Sequence, residues 1–120
     1  ARNFMGTAGT QTSALAFGGQ PTTIMTSAEA YGGSSWTNIT SMNTHRRDCA
    51  GAGASNTAAL AIGGQDNSDA AEANVELWDG SSWAEQSNLN TSRRGAGGSG
   101  TSTSALVSGG SSLCRKLEWN

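Results

Sequence analysis

"TSALAFGGQ" occupies residues 12 to 20, and the chain nearly repeats it as "TAALAIGGQ" at 57 to 65 and as "TSALVSGG" at 103 to 110. Each stretch alternates along an extended chain. Leu15 and Phe17 fall on one side and Ala14 and Ala16 on the other, and Leu60 and Ile62 stand in the same relation to their alanines. A period of two is the signature of a strand. Each stretch stops at a glycine pair: Gly18-Gly19, Gly63-Gly64 and Gly109-Gly110, at steps of 45 and 46 residues.

Working outward, other landmarks keep the same order. "GGSSW" at 32 to 36 returns as "DGSSW" at 79 to 83, and "MNTHRR" at 42 to 47 returns as "LNTSRR" at 89 to 94. Low-complexity sequence repeats its letters but does not place Trp36 and Trp83 at equivalent points of a long period. One unit of roughly 45 residues then reads as four short strands. A small-residue strand ("GTAG", "AGAGA", "AGGSG") leads into the Leu strand, expected near 12–18, 57–63 and 103–109. A strand ending in an aromatic follows ("AEAY" at 28–31, "VELW" at 75–78), then one opening on "SSW". Helical periodicity is absent, and glycine at this density penalises helices. The fold class is therefore all-β, in four-stranded antiparallel units.

A single four-stranded sheet cannot bury both of its faces, and repeats of this length are typical of sheets stacked around an axis. Small residues suit the inner strands, where sheets crowd together. The aromatics Tyr31, Trp36, Trp78 and Trp83 suit the wider outer gaps. Both Trp36 and Trp83 are expected to be buried, at equivalent places.

The order of Gly-Gly, an aromatic after a variable loop, Trp, Met or Leu, and Arg resembles the kelch repeat. Here it is carried by Gly18, Gly19, Tyr31, Trp36, Met42 and Arg46, then by Gly63, Gly64, Trp78, Trp83, Leu89 and Arg93. A third, incomplete set runs from Gly109 and Gly110 to Trp119, with "LEWN" matched to "ELWD". The resemblance implies a β-propeller segment spanning 1–120, with blade one at 1–45, blade two at 46–92 and an incomplete blade three at 93–120. That is a partial ring of two full blades plus three strands of a third. The inner strand is poorer in large residues than is usual for the family. In this simplicity and regularity the chain resembles the kelch-like arrays of bacteriophage structural and tail-fibre proteins. Closed propellers have 4 to 8 blades. The remaining blades are expected from a longer chain or from other copies of this one, and the 120 residues alone are not expected to form a stable monomer.

Composition narrows the function classes. With 17 Gly and four Trp but only 13% charged residues and a net charge of −2, the chain lacks the strong charge and aromatic poverty of disorder. A basic nucleic-acid footprint is missing, so no nucleic-acid partner is expected. No apolar run reaches the length that spans a bilayer, so no membrane insertion is expected, and "ARNFMGTAGT" lacks a signal-peptide core. Cys49 and Cys114 lack metal-type spacing, and are either a pair or two small buried thiols.

Residues able to do chemistry are scarce. His45 is the only histidine and stands where the neighbouring unit has Ser92. Asp66, Asp69 and Glu72 share one loop and form a weak Ca²⁺ candidate, although Asp and Asn also simply favour turns. The glycine pairs end strands and are not followed by a phosphate-loop Lys-Ser/Thr, so no cofactor is expected. Glu29 and Glu76 recur and look architectural. Arg46 and Arg93 are expected to hydrogen-bond loop carbonyls between units, and Arg47 and Arg94 to face solvent. Between Gly-Gly and the next aromatic the loops read "QPTTIMTSAEA", "QDNSDAAEANVEL" and "SSLCRKLE". They vary while the frame stays constant, which suits loops that carry specificity. The expectation is a non-enzymatic structural or binding module, on a virion surface or otherwise extracellular, recognising a protein or glycan receptor. The alternative is an intracellular kelch-type interaction adaptor.

Overall fold

Alternating small and apolar residues extend the chain, and left-handed glycines turn it back. A computed structural model describes residues 3–20, 23–66, 70–110 and 117–119. The first unit contains β1 (Gly6–Thr10), β2 (Ser13–Phe17), β3 (Ala28–Tyr31) and β4 (Trp36–Ile39). The second contains β5 (Ala50–Ser55), β6 (Ala58–Ile62), β7 (Val75–Trp78) and β8 (Trp83–Glu85). The third contains β9 (Gly97–Gly100), β10 (Ala105–Ser108) and β11 (Leu117–Trp119). Each unit is one antiparallel sheet in sequential order, of four, four and three strands. There is no helix among the described residues, and no helix long and apolar enough to cross a membrane.

The sheets lie closest at their first strands, with β1 against β5 and β5 against β9. Glycine makes that approach possible. A Cβ on Gly51 would fall 2.1 Å from the Thr7 carbonyl oxygen and 2.9 Å from the Phe17 ring, where no side chain fits.

Residues directly opposite in an antiparallel pair share a face, so the registers define what each face carries. In sheet two, Ala59 pairs with Trp78, Ala61 with Glu76, and Trp78 with Trp83. This alanine and tryptophan face packs on Leu15, Phe17 and Ala28 of sheet one, with Met42 and Cys49 closing the same core. The Phe17 and Trp83 rings meet edge to face at 5.6 Å. The opposite face of sheet two carries Leu60, Ile62 and Val75, which pack on Ala105 and Val107 of sheet three. The interfaces thus run in one sense: the large side of one Leu strand meets the smaller side of the next.

Two expectations need correction. Trp83 is 6% exposed, but Trp36 is 51% exposed. Tyr31 and Trp36 pair with each other, and Ala14 and Ala16 with Tyr31 and Glu29, so these residues occupy the face equivalent to the one sheet two turns toward sheet one. Among the described residues no other sheet lies against that face of sheet one, and an equivalent position without an equivalent neighbour stays exposed. The second correction is the register of Trp119. It pairs with Leu106, whereas Trp78 pairs with Ala59. Trp119 therefore takes the place of Leu77, and Glu118, opposite Val107, takes the place of Glu76.

Candidate functional site: the Gly-Gly corners and their loops

The end of the stack where β2, β6 and β10 stop is built on the three glycine pairs. All six glycines have φ between +60° and +103°, the left-handed region that only glycine enters freely. The turn lets each of the first two corners hydrogen-bond to the sequence about 30 residues on. Gly19 N–H donates to the Arg46 carbonyl at 2.8 Å, and Gly64 N–H to the Arg93 carbonyl at 2.9 Å.

The arginine side chains reach the next corner. Arg46 is fully buried. Its Nη1 donates to the carbonyls of Gly63 at 2.8 Å and Asn74 at 3.2 Å, and its Nη2 to Glu76 Oε2 at 2.8 Å. Glu76 is equally buried, and its carboxylate also accepts the N–H groups of Asn43 at 2.7 Å and Thr44 at 3.2 Å. A buried carboxylate is costly unless its lone pairs are filled, and here one guanidinium and two backbone amides fill them. Arg93 is likewise buried, and its Nη1 donates to the Gly109 carbonyl at 2.6 Å. The recurrent glutamate was visible as a repeat position. Its partners, Asn43 and Thr44, were not singled out, although "NT" recurs at 90–91 inside a repeated stretch.

Arg47 and Arg94 do not simply face solvent. Both are half-buried, and both side chains donate to Gln65 Oε1, Arg47 at 3.2 Å through Nε and Arg94 at 2.6 Å through Nη1. Arg47 also donates to Gln20 Oε1. The result is a Gln20–Arg47–Gln65–Arg94 ladder across the ends of the sheets. The glutamine after each of the first two glycine pairs was its sequence signal.

The variable loops leave from this ladder and are held at their bases. Met25 N–H donates to the Gly19 carbonyl and Gly18 N–H to the Ser27 carbonyl, both at 3.0 Å. In the second loop Glu72 N–H donates to the Gly64 carbonyl at 2.8 Å and Gly63 N–H to the Asn74 carbonyl at 2.9 Å. The frame therefore fixes where each loop starts and returns. Of the third loop, residues 111–116 lie outside the described residues, as does Cys114.

Of the acidic candidates, Asp69 lies outside the described residues. Asp66 Oδ1 accepts the Ala70 N–H at 3.0 Å, a turn contact. Burial, then a hydrogen bond shared with the Asp66 carboxylate, raises the Glu72 carboxyl above the ordinary range. Among the described residues no three His, Cys, Asp or Glu side chains gather closely enough to hold a metal. His45 is exposed on the connection from β4 to β5.

Cys49 belongs to the core between sheets one and two. Burial pushes its thiol up to about 11, against the pull of the Arg46 charge. Only the thiolate is nucleophilic, so Cys49 will resist a thiol reagent at pH 8 in the folded protein and react once the chain is unfolded, as peptide mapping by mass spectrometry will show. Rapid labelling of Cys49 under native conditions would mean that the core is open. The fold holds the neutral form, so stability will fall as the pH rises from about 9 toward 11, and Cys49→Ala will remove that part of the slope.

Two clefts lie among the described residues. One of about 360 Å³ lies along the first strands, lined by residues such as Thr7, Gly53 and Ser99. The other, about 410 Å³, is lined by Leu60, Val75, Leu77 and Gln86 and by Ser102 and Thr103. The corresponding space between sheets one and two is filled by Trp78 and Trp83. No family model and no curated protein matches this chain.

Proposed function

We propose that the chain is a segment of a kelch-type β-propeller that acts as a non-enzymatic structural and binding module. In this reading the three sheets are successive blades, with small-residue strands inside and aromatics outside. Its place is a virion or other extracellular appendage such as a phage tail fibre, and its ligand a protein or glycan receptor. The observation that carries the binding role is the contrast at the corners. The Gly-Gly, Arg46 and Glu76 contacts hold the frame rigid, while the loops they anchor differ in length and chemistry. A rigid scaffold presenting variable loops is the usual arrangement for recognition. The simplified, regular repeat supports the appendage setting.

The test is an exchange of loops. Replacing 65–77, "QDNSDAAEANVEL", with the shorter "QPTTIMTSAEA" of the first unit, followed by Tyr31 at the aromatic place, will leave the far-UV circular dichroism of a β protein in place. Binding to receptor-bearing cells or glycan arrays will change. Unchanged binding by the exchanged protein would remove the loops as the recognition surface.

A further inference from the structure

Two cations share one oxygen at the corners. Gln65 is 1% exposed, and its Oε1 accepts the Arg47 Nε–H at 3.2 Å and an Arg94 Nη1–H at 2.6 Å. The two donating nitrogens therefore lie within about 6 Å of each other. Like charges at that separation repel, and both side chains are half-buried, where water and salt screen them less than on an open surface. A neutral amide oxygen fixes their places without cancelling their charge. The buried arginine one residue earlier is treated differently, since Arg46 meets the Glu76 carboxylate at 2.8 Å. Asp66, next in the chain to Gln65, turns into its own loop, where its Oδ1 accepts the Ala70 N–H at 3.0 Å. Arg47 is held on a second side by Gln20 Oε1, so its guanidinium is already ordered before anything binds. The pair lies where the strands stop and the loops leave, not on a face that a further sheet would cover.

We propose that Arg47 and Arg94 together hold the acid group, carboxylate or sulfate, of an acidic saccharide. The planar fork of a guanidinium matches the oxygens of such a group, and an anion shared by two guanidiniums offsets their mutual repulsion. Gln65 lies beneath the pair, so the acid group approaches from the solvent side. Side chains ordered in advance lose little entropy on binding. A saccharide suits the surroundings better than a peptide does. The first loop lies against the segment that carries the pair, since the Arg46 N–H donates to the Met25 carbonyl at 3.3 Å. Its described part, 23–27, offers the hydroxyls of Thr23, Thr26 and Ser27, and its one aliphatic branched residue, Ile24, is buried. The inference rests on the binding-module reading above and names the chemical class of its glycan.

Titration of the full 120-residue chain with four probes tests it: hyaluronan oligosaccharides, which carry carboxylates alone, dextran sulfate, neutral dextran and polyglutamate. The chain will bind one or both of the acidic saccharides, and which of them identifies the acid group. Neutral dextran will not bind. In the wild-type protein the arginine Nε–H resonances of Arg47 and Arg94 will shift on titration more than those of Arg46 and Arg93. Arg47→Gln and Arg94→Gln, checked for folding by circular dichroism, will each weaken binding about 10-fold or more, the scale of a hydrogen bond to a charged group. Arg47→Lys, which keeps the charge but not the fork, will recover only part of the loss. Absence of binding to either acidic saccharide at millimolar concentration overturns the proposal. So do wild-type shifts centred away from the two arginines, a reading that holds even if the glutamine variants fail to fold. Polyglutamate binding as tightly as the saccharides also overturns it, in favour of an acidic peptide. Failure here leaves the loop exchange to be judged by itself. Unchanged binding after that exchange, with saccharide binding still lost in Arg47→Gln, would instead remove the loops and keep the arginine pair.

Discussion

Replacing Glu76 with Ala will lower the stability of the chain by about 3 to 5 kcal/mol, the cost of leaving one partner of a buried ion pair uncompensated. Arg46 and Glu76 are both fully buried and meet at 2.8 Å. Removal of the carboxylate leaves a guanidinium with no counter-ion in the interior and frees the Asn43 and Thr44 amides that it had satisfied. Those amides end the first unit, so their loss loosens the joint between sheets one and two. Glu76→Gln keeps the shape and part of the hydrogen bonding, but not the charge, and will fall between wild type and Glu76→Ala. Replacing Arg46 and Glu76 together with Met and Leu will cost less than the two single truncations added, because no lone charge remains. Chemical denaturation of wild type, Arg46→Met, Glu76→Leu and the double variant provides the cycle. A Glu76→Ala variant with the wild-type midpoint would show that the pair is not buried in solution.

The architecture was legible because it rests on local period and on repeated spacing. Alternation in "ALAF" and "ALAI" marks strands whatever surrounds them, and the steps of 45 and 46 residues mark equivalent corners. The strands indeed lie at 13–17, 58–62 and 105–108. What sequence could not supply was each position's neighbour. Trp36 and Trp83 occupy equivalent places, but among the described residues another sheet lies against the face that carries Trp83 and none against the face that carries Trp36. Trp119 resembled Trp78 by its flanking letters, yet strand pairing sets its register through the loop that precedes it, and that loop is shorter in the third unit. The Gln20–Arg47–Gln65–Arg94 ladder joins residues that are 18 to 29 positions apart. No local pattern announces such contacts; only the return of Gln and Arg at fixed points of the unit does.

Replacing Trp83 with Ala will cost about 3 to 5 kcal/mol, the range for emptying a buried aromatic site, while Trp36→Ala will change stability by no more than about 0.5 kcal/mol, the range for an exposed position. The two residues open equivalent strands and pair with equivalent aromatics. The difference lies in what surrounds them. Trp83 packs edge to face on Phe17 and beside Trp78, and its Nε1–H donates to the Thr40 carbonyl at 2.9 Å. Truncation therefore leaves a cavity between sheets one and two and an unpaired carbonyl on the β4 side, and Phe17 cannot fill the space without leaving its own seat beside Gly51. Trp36 keeps its tilted contact with Tyr31, but half of its surface already meets water, so its removal creates no void within the chain. The comparison is made by urea denaturation at a dilution at which wild type and Trp36→Ala both sediment as single chains, so that contacts between copies do not enter. Equal costs for the two substitutions under that condition would mean that the first sheet is covered within one chain. A small cost for Trp83→Ala would mean that the gap between sheets one and two is wet and that the aromatic does not hold them together.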